Sequence, residues 1–159
     1  MQLLLWRHAD AEDGHPDALR ALTRRGHAEA SATARWLQQR LPPAYRLIAS
    51  PATRAQQTAA ALGARVEPDA RLEVGARPAD VLAAAGWGAA AADTVARTVT
   101  QTVTHTVIVV GHQPTLGRLA ALLVGGSEAD WPVRKSALWW LEGDGAHAEL
   151  RAVFDPGIG

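Results

Sequence analysis

The stretch that most constrains this chain is Leu3-Leu4-Leu5-Trp6-Arg7-His8-Ala9. Leu3 to Trp6 is an apolar run without polar alternation, the pattern of a strand covered on both faces. It ends on an arginine and a histidine, residues that are seldom buried without a partner. In open α/β sheets ligands bind beyond the carboxyl ends of the strands. A cation and an imidazole at that place point to an anion site holding a nucleophile or a base. An Arg-His pair after a single strand is more often a surface or capping pair. The weight therefore rests on recurrence, and Arg54 and His112 each follow another strand-like apolar run.

Composition narrows the classes. A chain of 159 residues is long enough for one domain with a sizeable core, taken as residues 1–159. Lys+Arg and Asp+Glu both number 16, so the formal net charge is zero. That argues against a general nucleic-acid or membrane surface. There is no cysteine, which removes disulfides, thiolate metal sites and cysteine nucleophiles. No signal peptide and no run of membrane-spanning length is visible, so the expectation is a soluble, cytoplasmic protein, taken as a monomer.

In chain order, Ala9–Ala21 reads as a polar loop with Gly14 and Pro16, whose acids Asp10, Glu12, Asp13 and Asp17 have nearby arginines as candidate partners but are expected to be solvated. Thr23 is a good N-cap for a first helix in which Ala30, Ala34, Leu37 and Leu41 share one face, with Thr33 at its border and Trp36 only partly covered. Pro42-Pro43 ends it, and Tyr45–Ala49 is a second strand. Ser50 as N-cap and Pro51 at the first helical position open a second helix, which places Arg54 in its first turn. A cation there opposes the helix dipole and calls for an anion, which a bound phosphate supplies. Arg65-Val66-Glu67 reads as a short strand, Pro68–Pro78 as irregular, and Asp80–Ala85 as a short helix ended by Gly86. A Thr-Val repeat of period four runs through the stretch 88–105, and 89–102 reads as helix.

Thr106–Val110 is the clearest strand, and His112 follows it at a junction with a helix over Thr115–Val124, where backbone N–H groups face a bound anion. Ala137–Leu141 and Ala148–Phe154 read as an antiparallel pair turning at Gly143-Asp144-Gly145, with Trp139 and Trp140 on opposite faces. Arg7, His8, Arg54 and His112 then meet at one edge of a parallel α/β sheet. Two guanidinium groups and two imidazoles match a phosphate in charge and donor geometry. A metal is the natural rival for two histidines, but two cations would repel it and no sequence-local acids complete the set. No metal and no cofactor are expected.

Four segments in order, Leu5-Trp6-Arg7-His8-Ala9, Leu22-Thr23-x-x-Gly26, Ser50-Pro51-x-x-Arg54-Ala55-x-Gln57-Thr58 and Val110-Gly111-His112-Gln113-Pro114, resemble the histidine phosphatase superfamily. Order and spacing are most similar to its short SixA-type phosphohistidine phosphatases, although Arg7-His8 is followed by alanine where the family usually has glycine. The resemblance implies a three-layer α/β/α, phosphoglycerate mutase-like fold, with a mostly parallel central sheet and a C-terminal antiparallel hairpin. It implies that His8 attacks phosphorus, that Arg7, Arg54 and His112 bind the phosphoryl oxygens, and that water hydrolyses the phosphohistidine. For the proton donor, Glu73 is best placed by order along the chain, with Asp10 and Asp80 behind it. Three functions stay open: a phosphatase for phosphohistidine on a protein partner, a phosphatase for small phosphomonoesters, and an inactive phosphate-binding module. Neither nucleic acid nor membrane is an expected partner.

Overall fold

The structure is a computed structural model that describes residues 1–88 and 106–158; the helix expected over 89–102 lies outside the described residues. Within them, six strands form one sheet: β1 (Gln2–Arg7), β2 (Arg46–Ala49), β3 (Glu67–Pro68), β4 (Thr106–Gly111), β5 (Leu138–Gly143) and β6 (Ala148–Phe154). Their spatial order is β3-β2-β4-β1-β5-β6. β1 and β2 flank β4 and both run parallel to it, as β3 does to β2, whereas β5 and β6 are antiparallel to their neighbours. Four helices are described: α1 (Arg24–Gln38), α2 (Thr53–Ala60), α3 (Pro78–Ala85) and α4 (Thr115–Gly125).

The alternation of side chains along a strand sorts the core into two layers. Leu3, Leu5, Val107 and Val109 pack on one face with Val81 of α3 and Leu116, Leu119 and Leu123 of α4. Leu4, Trp6, Ile108 and Val110 pack on the other with Ala30, Ala34 and Leu37 of α1 and Ala55 and Ala59 of α2. Both faces of β1 and β4 are therefore dry, which is why their sequences are continuously apolar. The same alternation separates the neighbouring tryptophans: Trp139 packs on the α3/α4 layer and Trp140 on the α1/α2 layer.

Several boundaries differ from the sequence expectation. α1 ends at Gln38, short of Pro42, so Leu41 lies beyond it. α2 starts at Thr53 with Ala52 as N-cap; the Ser50 hydroxyl oxygen accepts from the Ala52 N–H at 3.3 Å, but Ala52 itself is extended, with ψ 134°, so the helix begins only after it. The third strand is Glu67–Pro68 and not 65–67, and α3 starts at Pro78. The loop acids are not simply solvated: Asp17 pairs with Arg20 and Arg54, and Asp10 with Lys135.

Thr23 caps α1 as expected, its hydroxyl oxygen accepting from the Gly26 N–H at 2.9 Å. The Thr23 N–H in turn donates to the Asp10 carbonyl at 3.0 Å. These contacts lay the loop after His8 across the first turn of α1 so closely that a Cβ on Gly26 would overlap the Asp10 carbonyl oxygen. Helix propensity favours Gly→Ala by up to about 1 kcal/mol, but the overlap dominates here. Gly26→Ala is expected to destabilise the fold by about 1–3 kcal/mol, read as a lower urea midpoint with unchanged slope. A stabilised variant would show that the loop yields freely.

Candidate active site

The site is built by strand ends. Pairing continues one residue past the parallel strands: the His8 N–H donates to the Gly111 carbonyl at 3.0 Å, and the Ser50 N–H to the Val110 carbonyl at 3.0 Å. Because β2, β4 and β1 are adjacent and parallel, Ser50, His112 and His8 emerge side by side at one sheet edge. The imidazole centroids of His8 and His112 lie 5.1 Å apart. The helix α2 is tied to the same edge by Thr58, whose Oγ1 accepts from the Ala9 N–H at 3.0 Å and donates to the Arg54 carbonyl at 2.7 Å. Gln57 holds the loop before α1, its Oε1 accepting from the Leu22 N–H at 2.7 Å. Thr58 and Gln57 stood only inside a motif in the sequence; their hydrogen bonds cross 49 and 35 residues and carry no local signal.

His8 is buried, and its Nδ1 lies 2.8 Å from the Ala9 carbonyl oxygen. A carbonyl only accepts, so Nδ1 carries the proton and the Nε2 lone pair is free. Burial, countered in part by that hydrogen bond, pushes the His8 pKa down to about 4, with Arg54, Arg7 and Lys135 lowering it further. Burial is thus the larger cause, and the cations come second. His112 is lowered to about 3, first by burial and then by His8 and Arg54, while Asp17 opposes. Both rings are neutral at pH 7.

Arg54 is 3% exposed. Its Nη1 donates to the Asp17 carbonyl at 2.8 Å and its Nη2 to the Asp17 carboxylate at 2.9 Å. Arg7 donates from Nη1 to the Val133 carbonyl at 2.8 Å. Among the described residues, buried side-chain polar atoms lacking a protein partner are Arg7 Nε, Arg54 Nε, His112 Nδ1 and Trp140 Nε1. Three of these four belong to the cluster. Buried polar groups are nearly always satisfied, so such a concentration is the signature of a site for an acceptor-rich anion.

Beside the cluster lies a cavity of about 320 Å³ lined by Asp17, Ala18, Ser50, Pro51, Ala52, Glu73 and Val74. Glu73 is exposed on its wall. Its loop is anchored from α4 by the Thr115 hydroxyl, which donates to the Ala76 carbonyl at 2.6 Å. Asp10 is engaged by Lys135 at 2.6 Å and by the Thr23 hydroxyl at 2.9 Å. Asp80 accepts from the Arg77 N–H at 3.0 Å and from its guanidinium at 2.9 Å, at the start of α3. Neither lines the cavity. Asp17 does, but the hydrogen bond from Arg54 holds its carboxyl below the usual range, which keeps it ionised. Asp17 and Lys135 carry no sequence signal that marks them as site residues, since loop acids and lysines are usually solvated. Among the described residues no three His, Cys, Asp or Glu side chains gather as a metal site, and no described helix is long and apolar enough to cross a membrane.

The sheet order and this polar edge define a class, an α/β protein with an anion site at the carboxyl ends of parallel strands. The model of the histidine phosphatase superfamily (branch 1) matches residues 3–78. An uncharacterized protein of Mycobacterium tuberculosis strain H37Rv is 36% identical over 127 residues, which cover 78% of this chain and 73% of that protein. The protein histidine phosphatase SixA complexed with tungstate superposes with a TM-score of 0.78 at 26% identity, over 99% of this chain and 98% of that one. A mycobacterial glucosyl-3-phosphoglycerate phosphatase shares the fold, with a TM-score of 0.61 at 22% identity over 95% and 97% of the two chains. The chain belongs to the histidine phosphatase superfamily, and its fold is the three-layer phosphoglycerate mutase-like one. Its activity at that level is that of a phosphatase, a hydrolase.

The lowered histidines link the site to stability. Between pH 6.5 and 4 the unfolded chain binds protons that folded His8 does not, and the window for His112 extends to about 3. Unfolding free energy is therefore expected to hold above pH 6.5 and to fall progressively below it. The His8 ring, followed by NMR, is expected to titrate near pH 4. A His8 midpoint at the ordinary value of about 6.5 would show that the ring is solvated.

Proposed function

We propose that the protein removes the phosphoryl group from phosphohistidine on a protein partner, with His8 as the nucleophile. The observation that carries this reading is the free Nε2 lone pair of a buried, neutral His8 beside three unsatisfied buried nitrogens of Arg7, Arg54 and His112. In the first step Nε2 of His8 forms a bond to phosphorus as the bond from phosphorus to the leaving nitrogen breaks. The leaving imidazole takes a proton. In the second step water attacks the phosphohistidine, orthophosphate leaves and neutral His8 returns. The guanidinium groups of Arg7 and Arg54 neutralise charge on the transferring oxygens, and His112 adds a neutral donor.

A protein substrate is supported by the rim of the site. Leu19 and Val74 are 67% and 57% exposed. Leu19 sits on the same short turn as Asp17, and Val74 follows Glu73 on the cavity wall. Exposed apolar side chains flanking a polar pocket suit docking of another protein's surface. The 26% identical SixA relative, named as a protein histidine phosphatase, supports the same reading.

The test compares a phosphohistidine protein with a panel of sugar and nucleotide phosphates. Turnover of the phosphoprotein well above the panel is expected. Preference for a small phosphomonoester would move the substrate class, and turnover of nothing would leave a binding module. His8→Ala is expected to abolish turnover while the protein stays folded, and trapping with labelled substrate should place acid-labile phosphate on His8. Label on any other residue removes His8 as nucleophile.

Glu73 is proposed as the acid that protonates poor leaving groups across the cavity. General acid catalysis contributes about 10²–10⁴-fold where protonation is needed. Glu73→Gln is expected to cost much of that on an alkyl phosphate and little on an aryl phosphate, with phosphohistidine nearer the aryl case. Equal losses on all three substrates would make Glu73 a binding or loop-supporting residue, and no loss on any would make it a solvated surface acid.

A further inference from the structure

Ser50 is fully buried at the end of β2, and every polar group it carries is used. Its N–H donates to the Val110 carbonyl at 3.0 Å, and its carbonyl accepts from Gln56 Nε2 at 2.7 Å. Its hydroxyl oxygen accepts from the Ala52 N–H at 3.3 Å and lies 2.8 Å from Nε2 of His112. These contacts fix the oxygen's position and leave open only which partner of the last pair donates.

Counting donors decides it. A neutral imidazole carries one proton. If it sat on Nε2, that nitrogen would donate to Ser50. The serine hydrogen would then have no acceptor among the described contacts, and Nδ1 would be a buried lone pair without a donor. Two buried polar groups would go unsatisfied. That lone pair would also belong to a cluster whose other unsatisfied nitrogens, Arg7 Nε and Arg54 Nε, are both donors. If the serine instead donates to Nε2, the hydroxyl is fully used and the proton sits on Nδ1. One buried group then remains, an N–H among other N–H donors. Leaving a buried polar group unmade costs about 1–3 kcal/mol, so the second arrangement prevails.

We propose that Ser50 is a positioning residue that holds His112 in its Nδ1–H tautomer, so that His112 meets a phosphoryl oxygen as a neutral hydrogen-bond donor and not as a base or second nucleophile. The part about the phosphoryl oxygen rests on the functional reading above; the tautomer does not. The two histidines then act differently although both are neutral and protonated on Nδ1. His8 spends its Nδ1–H on the Ala9 carbonyl and presents a lone pair. His112 spends its lone pair on Ser50 and presents an N–H. One ring is set to attack phosphorus and the other to bind oxygen.

The ring nitrogens of His112 report this directly in ¹⁵N NMR of the resting protein near pH 7. Nδ1 is expected to show the signature of a protonated nitrogen and Nε2 that of a hydrogen-bonded acceptor. In Ser50→Ala the ring is expected to shift toward the Nε2–H form, and inorganic phosphate should bind about three- to tenfold more weakly, as for loss of one hydrogen bond. Ser50→Thr, which keeps the hydroxyl, should restore both readings. A wild-type His112 protonated on Nε2 overturns the proposal without recourse to any variant. So does a Ser50→Ala protein whose His112 signals are unchanged, or one whose phosphate affinity equals that of the wild type. If the ring signals and phosphate affinities behave as expected while no phosphorylated substrate is turned over, the proposed activity falls and the role of Ser50 stands.

Discussion

The site depends on the parallel pairing of β1 and β2 with β4. Parallel neighbours end at the same edge, and here the ladder runs one residue beyond each strand, through the His8 and Ser50 N–H groups. That pairing sets the spacing of Ser50, His112 and His8 before any side chain acts. It holds because both faces of these strands are covered by helices, which shield the ladder from water and keep its register. The α1 and α2 layer does a second task. Through Thr58, Gln57, Thr23 and Gly26 it holds the backbone that follows His8, so the same helices that bury Leu4 and Trp6 also fix the chain beside the nucleophile candidate.

What was legible in the sequence was what has a local pattern. Leu3–Trp6 and Thr106–Val110 carry no polar residue at alternate positions, and both are buried strands. Arg7, His8, Arg54 and His112 each follow such a run by a few residues, and the structure brings them to one edge. What was not legible was the use of polar side chains across distance. Ser50 before Pro51 has the look of a helix cap, and its oxygen does accept from the Ala52 N–H, but α2 starts two residues later than such a cap would set it, and the hydroxyl's second bond, to His112, spans 62 residues. Asp17 sits in a polar loop with Gly14 and Pro16, where acids are usually solvated. Only the fold shows that it meets the buried Arg54.

The electrostatic design follows from burial. Placing two guanidinium groups next to two imidazoles would be self-defeating if the rings could charge, since four cations would crowd one edge. Desolvation prevents this by lowering both histidines well below neutrality. The arginines cannot lose their protons in the same way, so Asp17 supplies a carboxylate to Arg54, and backbone carbonyls take the remaining Nη donors that are paired. Among the fully buried nitrogens of the cluster, those left without a protein partner are the Nε of each arginine and the Nδ1 of His112.

That remainder explains why neutral rings suit the site better than charged ones. A dianionic ligand needs donors, and the two arginines already match its charge. A neutral N–H at a fixed position adds direction instead of charge. At His8 the argument is stricter under the proposed role as nucleophile, because a protonated ring has no lone pair to offer phosphorus. In the proposed arrangement both imidazoles are neutral, one turned by the Ala9 carbonyl and the other by the Ser50 hydroxyl, so that two residues of the same kind 5.1 Å apart have opposite hydrogen-bonding character toward a bound phosphoryl group.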